Sequence, residues 1–189
     1  MKEEFTFNLE LFNQAAIFAV EQHSKMVRKG DKRPYILHPF SVAKRIFDNG
    51  FENPYLKAIV SMLHDVIEDV YKDNYEEGFR IIREKFGDRV ADLVGELTLN
   101  KAKYSELGKD KYLLEELTNM SSDALDIKLC DRLDNVSEME NMKPDFQIYY
   151  SKHTKYIFDN LKRDLTEKQL KVIDEIMTIV SSYELPKIN

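Results

Sequence analysis

The sequence predicts an all-α protein, a bundle of many helices built around one core. Apolar residues recur with the 3.6-residue period of amphipathic helices along most of the chain. Asn, Ser, Pro and Gly stand between these segments, where helix caps and stops are expected. No stretch shows the alternation of a half-buried strand, and 189 residues can bury about 70% of their unfolded surface in a single core.

The helix boundaries follow from caps and breakers. Asn8 can cap the first helix, Asn53-Pro54 opens a central helix, and Thr166 with Gln169 resembles a capping box. The predicted helices cover about 9–27, 39–48, 54–70, 75–86, 88–98, 109–120, 123–141, 146–163 and 166–183.

Two segments between these helices predict loops. Residues 28–39 contain Gly30, Pro34 and Pro39 among four cations, so we expect an ordered loop there. Residues 100–108 carry lysines without a clear period, which predicts a flexible loop near the site.

Composition and charge exclude several classes of protein. The net charge of −6 argues against a generic nucleic-acid binder, which presents a basic face. No apolar run approaches the ~20 residues of a membrane span, and residues 1–10 lack the features of a signal peptide, so we expect a cytosolic protein without a membrane partner. The single cysteine, Cys130, excludes an internal disulfide and predicts a small core residue.

The central helix carries a group of ionisable residues within an apolar stretch. On a continuous helix, His64 and Glu68 share one face, and Asp65 and Asp69 share the next. An unpaired buried charge costs several kcal/mol, and a cation is the simplest compensation. The stretch therefore predicts a metal site.

Further candidate ligands are distant in sequence. His38 precedes a helix and Asp131 lies far downstream, so they join His64 and Asp65 only if three helices converge. By itself, His38 before a proline would indicate a surface cap, and Glu68 with Asp69 would indicate a solvated helix end. Two imidazoles and two carboxylates without thiolates favour manganese, iron(II) or magnesium over structural zinc.

Five short sequence motifs, in the same order along the chain, resemble those of a known family. They match the (p)ppGpp hydrolase domain of RelA/SpoT homologues, within the HD-domain metal-dependent phosphohydrolases, over about residues 16–142. The motifs are Arg28-Lys29, Pro34-Tyr35-Ile36-Leu37-His38-Pro39, Leu63-His64-Asp65-Val66-Ile67-Glu68-Asp69, Phe86-Gly87 and Lys128-Leu129-Cys130-Asp131-Arg132-Leu133-Asp134-Asn135.

The chain has no room for the synthetase and regulatory domains of long RelA/SpoT proteins, so it resembles the stand-alone small alarmone hydrolases of the metazoan SpoT type. The resemblance implies a single HD hydrolase domain over residues 1–189. Its core would cover about 8–142, with C-terminal helices at about 146–183 packing on it.

The resemblance also implies an activity and a set of site residues. The family hydrolyses guanosine 3′,5′-bis(diphosphate) at the 3′ position, releasing pyrophosphate and GDP or GTP. Its Mn²⁺ ligands match His38, His64, Asp65 and Asp131. A bound divalent cation can polarise a phosphoryl oxygen and lower the pKa of water. The family's water-directing pair matches Glu68-Asp69.

Substrate-binding positions are implied in the same way. Arg28 and Lys29 match the family's basic pair near the nucleotide, and Arg28 can offer a bidentate fork. Asn135, one turn after Asp131, matches an asparagine near the sugar. Either Tyr149 or Tyr150 matches an aromatic residue near the ribose and phosphate, and the sequence does not choose between them.

The chain departs from the family pattern at two places. Residues 30–33 replace the usual motif before Pro34, which leaves the metal ligands intact but changes a segment expected near base and phosphate. Asp134 replaces the commoner tyrosine or histidine. His23 and His153 match no ligand position, and His153 is expected on the surface of a helix.

Two other functions remain open from the sequence. One is hydrolysis of another phosphorylated nucleotide, such as the 2′-phosphate of NADPH. The other is a catalytically silent nucleotide sensor, although Glu68 and Asp69 argue against it. The expected partner in each case is a small-molecule nucleotide, and the oligomeric state is not predicted.

Overall fold

The computed structural model describes residues 8–183, which form helices and no strand, so the all-α prediction is confirmed. Within these residues, an isolated bridge joins Val27 to Pro34. The α-helices are α1 (Leu9–Gln22), α2 (Leu37–Asp48), α3 (Pro54–Leu63), α4 (Val66–Asp69), α5 (Tyr75–Phe86), α6 (Asp88–Leu97), α7 (Lys101–Leu107), α8 (Lys109–Asn119), α9 (Ser122–Ser137), α10 (Pro144–Asn160) and α11 (Glu167–Ser181).

Helix α3 is the centre of the core. All of its residues from Leu56 to Leu63 are buried, and it packs against α1, α2, α6 and α9. Helix α9 is nearly as buried and contacts α2, α6 and α11 as well. Because α2, α3 and α9 pack on one another, polar residues at their adjoining ends come together inside the protein.

Several local predictions are confirmed. The side chain of Asn8 accepts from the Leu11 N–H at 3.1 Å, which caps α1. Thr166 and Gln169 form the expected capping box at the start of α11. The single cysteine is buried in the core. Local hydrogen-bonding chemistry fixes these helix starts, so they are visible in the sequence.

The prediction of one continuous central helix to Val70 is wrong. Helix α3 ends at Leu63, and a separate four-residue helix, α4, follows after His64 and Asp65. The Nδ1 of His64 lies 2.7 Å from the carbonyl oxygen of Ser61, which a continuous helix would use for a backbone hydrogen bond. The His64 side chain thus takes up a carbonyl that the helix backbone would otherwise use. The helix is interrupted at His64 and Asp65, two of the predicted metal ligands.

The largest of the other boundary differences occur at two helix ends. Helix α1 ends at Gln22 rather than Val27. The helix from Ser122 ends at Ser137, and a short 3₁₀-helix at Met139–Asn141 follows.

The flexible loop predicted at residues 100–108 is instead a helix, α7, capped by the side chain of Asn100. No residue of α7 is buried. Because none of its residues is buried in the core, α7 needs no apolar face, and its sequence shows no 3.6-residue apolar period.

The two C-terminal helices pack on the rest of the bundle. Helix α11 lies on α9, and α10 contacts both α11 and α8. His153 of α10 is 4% exposed and its Nδ1 lies 2.5 Å from Asp110, so its predicted surface position is wrong. Within residues 8–183, no helix is long and apolar enough to cross a bilayer. The segment 1–10, from which no signal peptide was predicted, lies mostly outside the described residues.

Candidate metal centre and adjoining cavity

Two histidines from different helices meet at the junction of α2, α3 and α9. His38 stands in the first turn of α2 and His64 directly follows α3. Each is 2% exposed, and their ring centroids are 5.4 Å apart. The Nδ1 of His38 donates to Asp134 Oδ2 at 2.7 Å, and that of His64 donates to the Ser61 carbonyl. Each ring therefore turns its Nε2 toward the junction, where this nitrogen can bind either a proton or a metal cation.

Two carboxylates complete this cluster. The Oδ2 of Asp65 lies 3.0 Å from His64 Nε2 and 3.7 Å from His38 Nε2. From α9, Asp131 Oδ1 lies 3.2 Å from His38 Nε2 and 4.0 Å from His64 Nε2. The fold thus brings together all four residues that the sequence suggested as ligands.

The donor set fits a divalent cation. Ligand atoms of His38, His64 and Asp65 all lie within 4.8 Å of one another. Nitrogen and oxygen ligands about 2.1 Å from one ion are roughly 3 to 4 Å apart, which matches the four distances between the histidine Nε2 atoms and the oxygens of Asp65 and Asp131. The Nε2 of His64 is buried without a hydrogen-bond partner among the described residues. An orphaned lone pair beside two carboxylates is what a cation would satisfy.

The electrostatics of the cluster indicate the same attraction for positive charge. Burial opposes charging of His38, but hydrogen bonds and charges from Asp131, Asp134 and Asp65 outweigh it and raise its pKa to about 9. Burial also opposes ionisation of Asp65, yet the neighbouring histidines hold its pKa below the usual value. Asp131 has a strongly lowered pKa because Lys128 and the same histidines outweigh its burial. The carboxylates remain charged and attract a proton or a metal cation.

Three residues without a predicted role hold the ligands in place. The carboxylate of Asp134 accepts from His38, from Ser41 and from Arg45, the last at 3.2 Å. Its position three residues after Asp131, on the same side of α9, is the sequence signal that could have found it. The hydroxyl of Tyr35 donates to Asp65 Oδ2 at 2.5 Å, and Lys128 Nζ lies 3.1 Å from Asp131 Oδ2.

A cavity of about 320 Å³ adjoins the cluster. Its volume falls within the range of small-molecule sites. Tyr35 and Asn135 belong to its wall and bond directly to the candidate ligands Asp65 and Asp131, the second pair at 2.6 Å. The lining residues are Met26, Val27, Arg28, Lys29, Tyr35, Asp69, Asn135, Met142, Phe146 and Tyr150. The cavity therefore combines cations, aromatic planes and an acid beside the cluster.

The predicted substrate-binding residues divide into two groups. Arg28, Lys29, Asn135 and Tyr150 line the cavity, whereas Tyr149 does not. Tyr149 is 52% exposed, and Lys109 Nζ lies 4.8 Å from the centroid of its ring. The structure thus separates the two tyrosines that the sequence could not distinguish.

Arg28 is held firmly in the cavity wall. Its Nε donates to Glu138 Oε2 at 2.9 Å and its Nη2 to Asn135 Oδ1 at 2.8 Å. Glu138 also accepts from Arg33 Nη2 at 2.7 Å. This bond connects the loop of residues 28–36, called the basic loop below, to the C-terminal end of α9. The guanidinium lies 5.7 Å from the centroid of Tyr35. Glu138 was not predicted as a site residue, and its sequence position offers no signal.

Glu68 and Asp69 flank the cluster on different sides. Asp69 lines the 320 Å³ cavity, whereas Glu68 lines a separate cavity of about 100 Å³ together with Lys128. The Oε1 of Glu68 accepts from the Leu99 N–H at 2.6 Å. Burial raises the pKa of both carboxyl groups. The structure therefore places both acids beside Asp65, but they do not face one cavity.

Comparison with known proteins places this arrangement in a family. The sequence model of the HD-domain family matches residues 15–165 of this chain. A guanosine-3′,5′-bis(diphosphate) 3′-pyrophosphohydrolase of Aquifex aeolicus is 35% identical over 158 residues, which make up 82% of this chain and 22% of the relative. The guanosine-3′,5′-bis(diphosphate) 3′-pyrophosphohydrolase MESH1 of Xenopus tropicalis is 31% identical over 136 residues, 71% of this chain and 73% of the relative.

A solved structure has a similar fold. It is that of a metazoan orthologue of SpoT, described as hydrolysing ppGpp with a role in starvation responses. The TM-score is 0.76 at 24% sequence identity, over 95% of this chain and 99% of that chain.

The fold and the cluster define an all-α protein with a candidate His/Asp metal centre. The chain belongs to the HD-domain family, and the resemblance to its RelA/SpoT members is confirmed. It spans about a fifth of the length of the Aquifex relative and about three quarters of the Xenopus relative.

Proposed function

We propose that this protein hydrolyses guanosine 3′,5′-bis(diphosphate) at the 3′ position, releasing pyrophosphate and GDP, or GTP from the pentaphosphate. The observation that carries the proposal is the direct contact between the His/Asp cluster and a cavity with cationic and aromatic walls. The names of the Aquifex and Xenopus relatives, both 3′-pyrophosphohydrolases, support the same reaction.

The proposed metal ligands are His38, His64, Asp65 and Asp131, with Mn²⁺ as the proposed ion. A bound divalent cation would polarise the phosphoryl group and make water more acidic. Asp134 and the Ser61 carbonyl fix the histidine tautomers, so both Nε2 atoms are available as ligands. The protein thus prepares the site before the ion arrives.

The acids Glu68 and Asp69 are the proposed proton-handling residues. Burial raises both pKa values, which favours groups that exchange a proton near neutral pH. Asp69 faces the cavity and would orient the attacking water toward the phosphorus. Glu68 is fixed by Leu99 on the other side of the cluster, where it would accept a proton passed from the site. The division of the two acids between cavities makes Asp69 the closer of the pair to the substrate.

Recognition of the nucleotide is assigned to the other cavity residues. Lys29 would neutralise phosphate charge, since its side chain is exposed at the cavity. Arg28 has its Nε and Nη2 engaged by Glu138 and Asn135, so its flat face is more available than its bidentate edge. Tyr150 and Phe146, stacked with centroids 5.4 Å apart, supply an aromatic wall. We retain Tyr149 only as a rim residue.

A metal-by-nucleotide screen tests the proposal. Purified protein would be incubated with guanosine bis(diphosphate), NADPH and other phosphorylated nucleotides, with Mn²⁺, Mg²⁺ or chelator, and pyrophosphate and orthophosphate would be measured separately. We expect Mn²⁺-dependent pyrophosphate from guanosine bis(diphosphate). Orthophosphate alone from every nucleotide would contradict the proposal and favour a phosphatase such as one acting on NADPH.

Absence of all products would favour a silent nucleotide sensor.

The role of Asp69 is tested by Asp69→Asn, which removes the charge but keeps the shape of the side chain. We expect it to lower the rate by about 10²-fold or more, in line with the loss of proton handling. Equal rates for this variant and the wild type would remove Asp69 from the mechanism. A cytosolic location and the single-domain organisation over residues 1–189 stay proposals alongside this one.

A further inference from the structure

His23 is a buried histidine to which neither the sequence motifs nor the metal site gives a role. It follows α1, is 2% exposed, and its backbone N–H donates to the Ala19 carbonyl at 3.0 Å. Its ring stacks on Tyr35, with centroids 4.9 Å apart and planes at 29°. Since Tyr35 bonds to Asp65, His23 lies directly behind the wall of the candidate site.

The ring nitrogens of His23 have distinct functions. Nδ1 lies 3.1 Å from the Ala19 carbonyl oxygen, which can only accept, so Nδ1 carries the hydrogen. Burial lowers the pKa of His23 below its usual value and keeps the ring neutral at pH 7. Nε2 is therefore an acceptor, and it is buried without a hydrogen-bond partner among residues 8–183.

The group that faces this nitrogen is Asp69. Its Oδ2 lies 3.9 Å from His23 Nε2 and is likewise buried without a partner in the described chain. Two acceptors at this separation do not bond directly, and a buried acceptor without a partner is destabilising. A water about 2.8 Å from each atom spans such a gap and donates one hydrogen to each.

We propose that His23 is a positioning residue for Asp69, acting through one water molecule that bridges His23 Nε2 and Asp69 Oδ2. The inference rests on the proposed function of Asp69. The bridge holds one carboxylate oxygen toward α1, and the other oxygen is thereby directed at the cavity that Asp69 lines. His23 does not touch the substrate, so its effect is on the geometry of the acid and hence on turnover.

Three substitutions separate the two ring nitrogens. His23→Gln places a polar atom near the Nε2 position, His23→Asn places one near the Nδ1 position only, and His23→Phe keeps the stacking on Tyr35 but neither nitrogen. Gln and Asn both lose the aromatic ring, so each is the matched control for the other. The Mn²⁺-loaded variants would be compared by melting temperature and by kcat and KM for guanosine bis(diphosphate).

The expected pattern differs from that of a structural role. For His23→Asn and His23→Phe we expect kcat to fall by about 10-fold or more, because a misplaced acid slows the chemical step. The KM should stay within about 2-fold, since ground-state binding is unaffected. His23→Gln should retain most of the wild-type kcat. Equal kcat for the Asn and Gln variants, or a wild-type kcat for His23→Phe, would overturn the inference.

A readout that does not need activity decides the inference even if the proposed function fails. Crystal structures of the Mn²⁺-loaded wild type and of His23→Phe would be compared at high resolution. We expect an ordered water within about 3.2 Å of both Nε2 and Oδ2 in the wild type, and its loss in the variant. If the wild-type gap contains no such water, the inference is wrong. Lack of hydrolysis by the wild type would instead contradict only the proposed function.

Discussion

Two buried polar clusters lie on the same pair of helices, α3 and α9, and only one of them is complete. In the first, Lys57 of α3 lies 2.5 Å from Asp126 and 3.0 Å from Asp123, both on α9. Gln169 of α11 donates to the other oxygen of Asp126 at 2.7 Å. The second cluster joins the residues that follow α3, His64 and Asp65, to Asp131 of α9 and His38 of α2.

The difference between them lies in the source of positive charge. The Lys57 cluster, formed by Lys57, Asp123, Asp126 and Gln169, contains its own cation, 1% exposed. The metal cluster, formed by His38, His64, Asp65 and Asp131, has two carboxylates and two inward imidazole Nε2 atoms. One of these nitrogens, on His64, is buried without a hydrogen-bond partner among the described residues, and Lys128 pairs with Asp131 from outside the cluster. In a polar network that only stabilises the fold, the buried polar atoms find their hydrogen-bond or charge partners within the protein. A network that binds a ligand keeps some of these atoms unpaired for the ligand.

The largest expected effect comes from removing a metal ligand. Asp131→Ala deletes the α9 carboxylate that also contacts His38, Asn135 and Lys128. Because a catalytic cation contributes several kcal/mol to the transition state, we expect hydrolysis to fall by more than about 10³-fold. Bound manganese after dialysis should fall as well, measured by elemental mass spectrometry. Unchanged manganese content would contradict the proposed ligand set.

The Lys57 cluster should respond with stability instead of turnover. Lys57→Met keeps the length of the side chain and removes the cation from Asp126, whereas Asp123 keeps Arg89 at 3.8 Å. Breaking a buried ion pair in this way typically destabilises strongly, and because Asp123 is partly exposed we expect the low end, about 3 kcal/mol of unfolding free energy. Urea denaturation measures this change.

The matched control is Lys44→Met, which breaks an exposed pair with Asp48 and should change stability by less than about 0.5 kcal/mol. The folded Lys57→Met enzyme should keep the wild-type kcat. A kcat as low as that of the Asp131 variant would contradict the claim that the Lys57 cluster serves only stability.

A smaller effect is expected where the chain supports a ligand without touching the metal. Asp134→Asn leaves an amide oxygen for the Nδ1–H of His38 but removes the charge that orients the ring. Loss of such a supporting carboxylate lowers metal affinity or activity by about 10-fold. Calorimetric titration with Mn²⁺ measures the Kd. An affinity equal to that of the wild type would mean that Asp134 serves only Ser41 and Arg45.

The sequence predicted what local chemistry determines. Caps such as Asn8 and Thr166, and the apolar period of α3 and α9, depend on neighbours within a few residues, and these predictions were confirmed. The family motifs also selected the four residues that converge in the structure, although their role as ligands stays a prediction.

The failures concern contacts between distant segments. At the break after α3, the His64 ring bonds locally to the Ser61 carbonyl and also lies beside His38 of α2 and Asp131 of α9, which are distant in sequence. The burial of His153 depends on Asp110 at the start of α8. The roles of Asp134 and Glu138 depend on α2 and the basic loop, respectively. No periodic pattern encodes such pairings, since each partner is far away in sequence.

The central claim is that the metal cluster needs a cation besides Lys128, whose ammonium pairs with Asp131. Its most direct test is the melting temperature of the wild type in chelator and in Mn²⁺ at about 100 times its Kd. Binding to the folded state alone would contribute about 2.7 kcal/mol, which corresponds to a rise of about 5 to 10 °C for a protein of this size. The account predicts that rise in the wild type and its loss in Asp131→Ala. A wild-type melting temperature that is the same in chelator and in Mn²⁺ would contradict it.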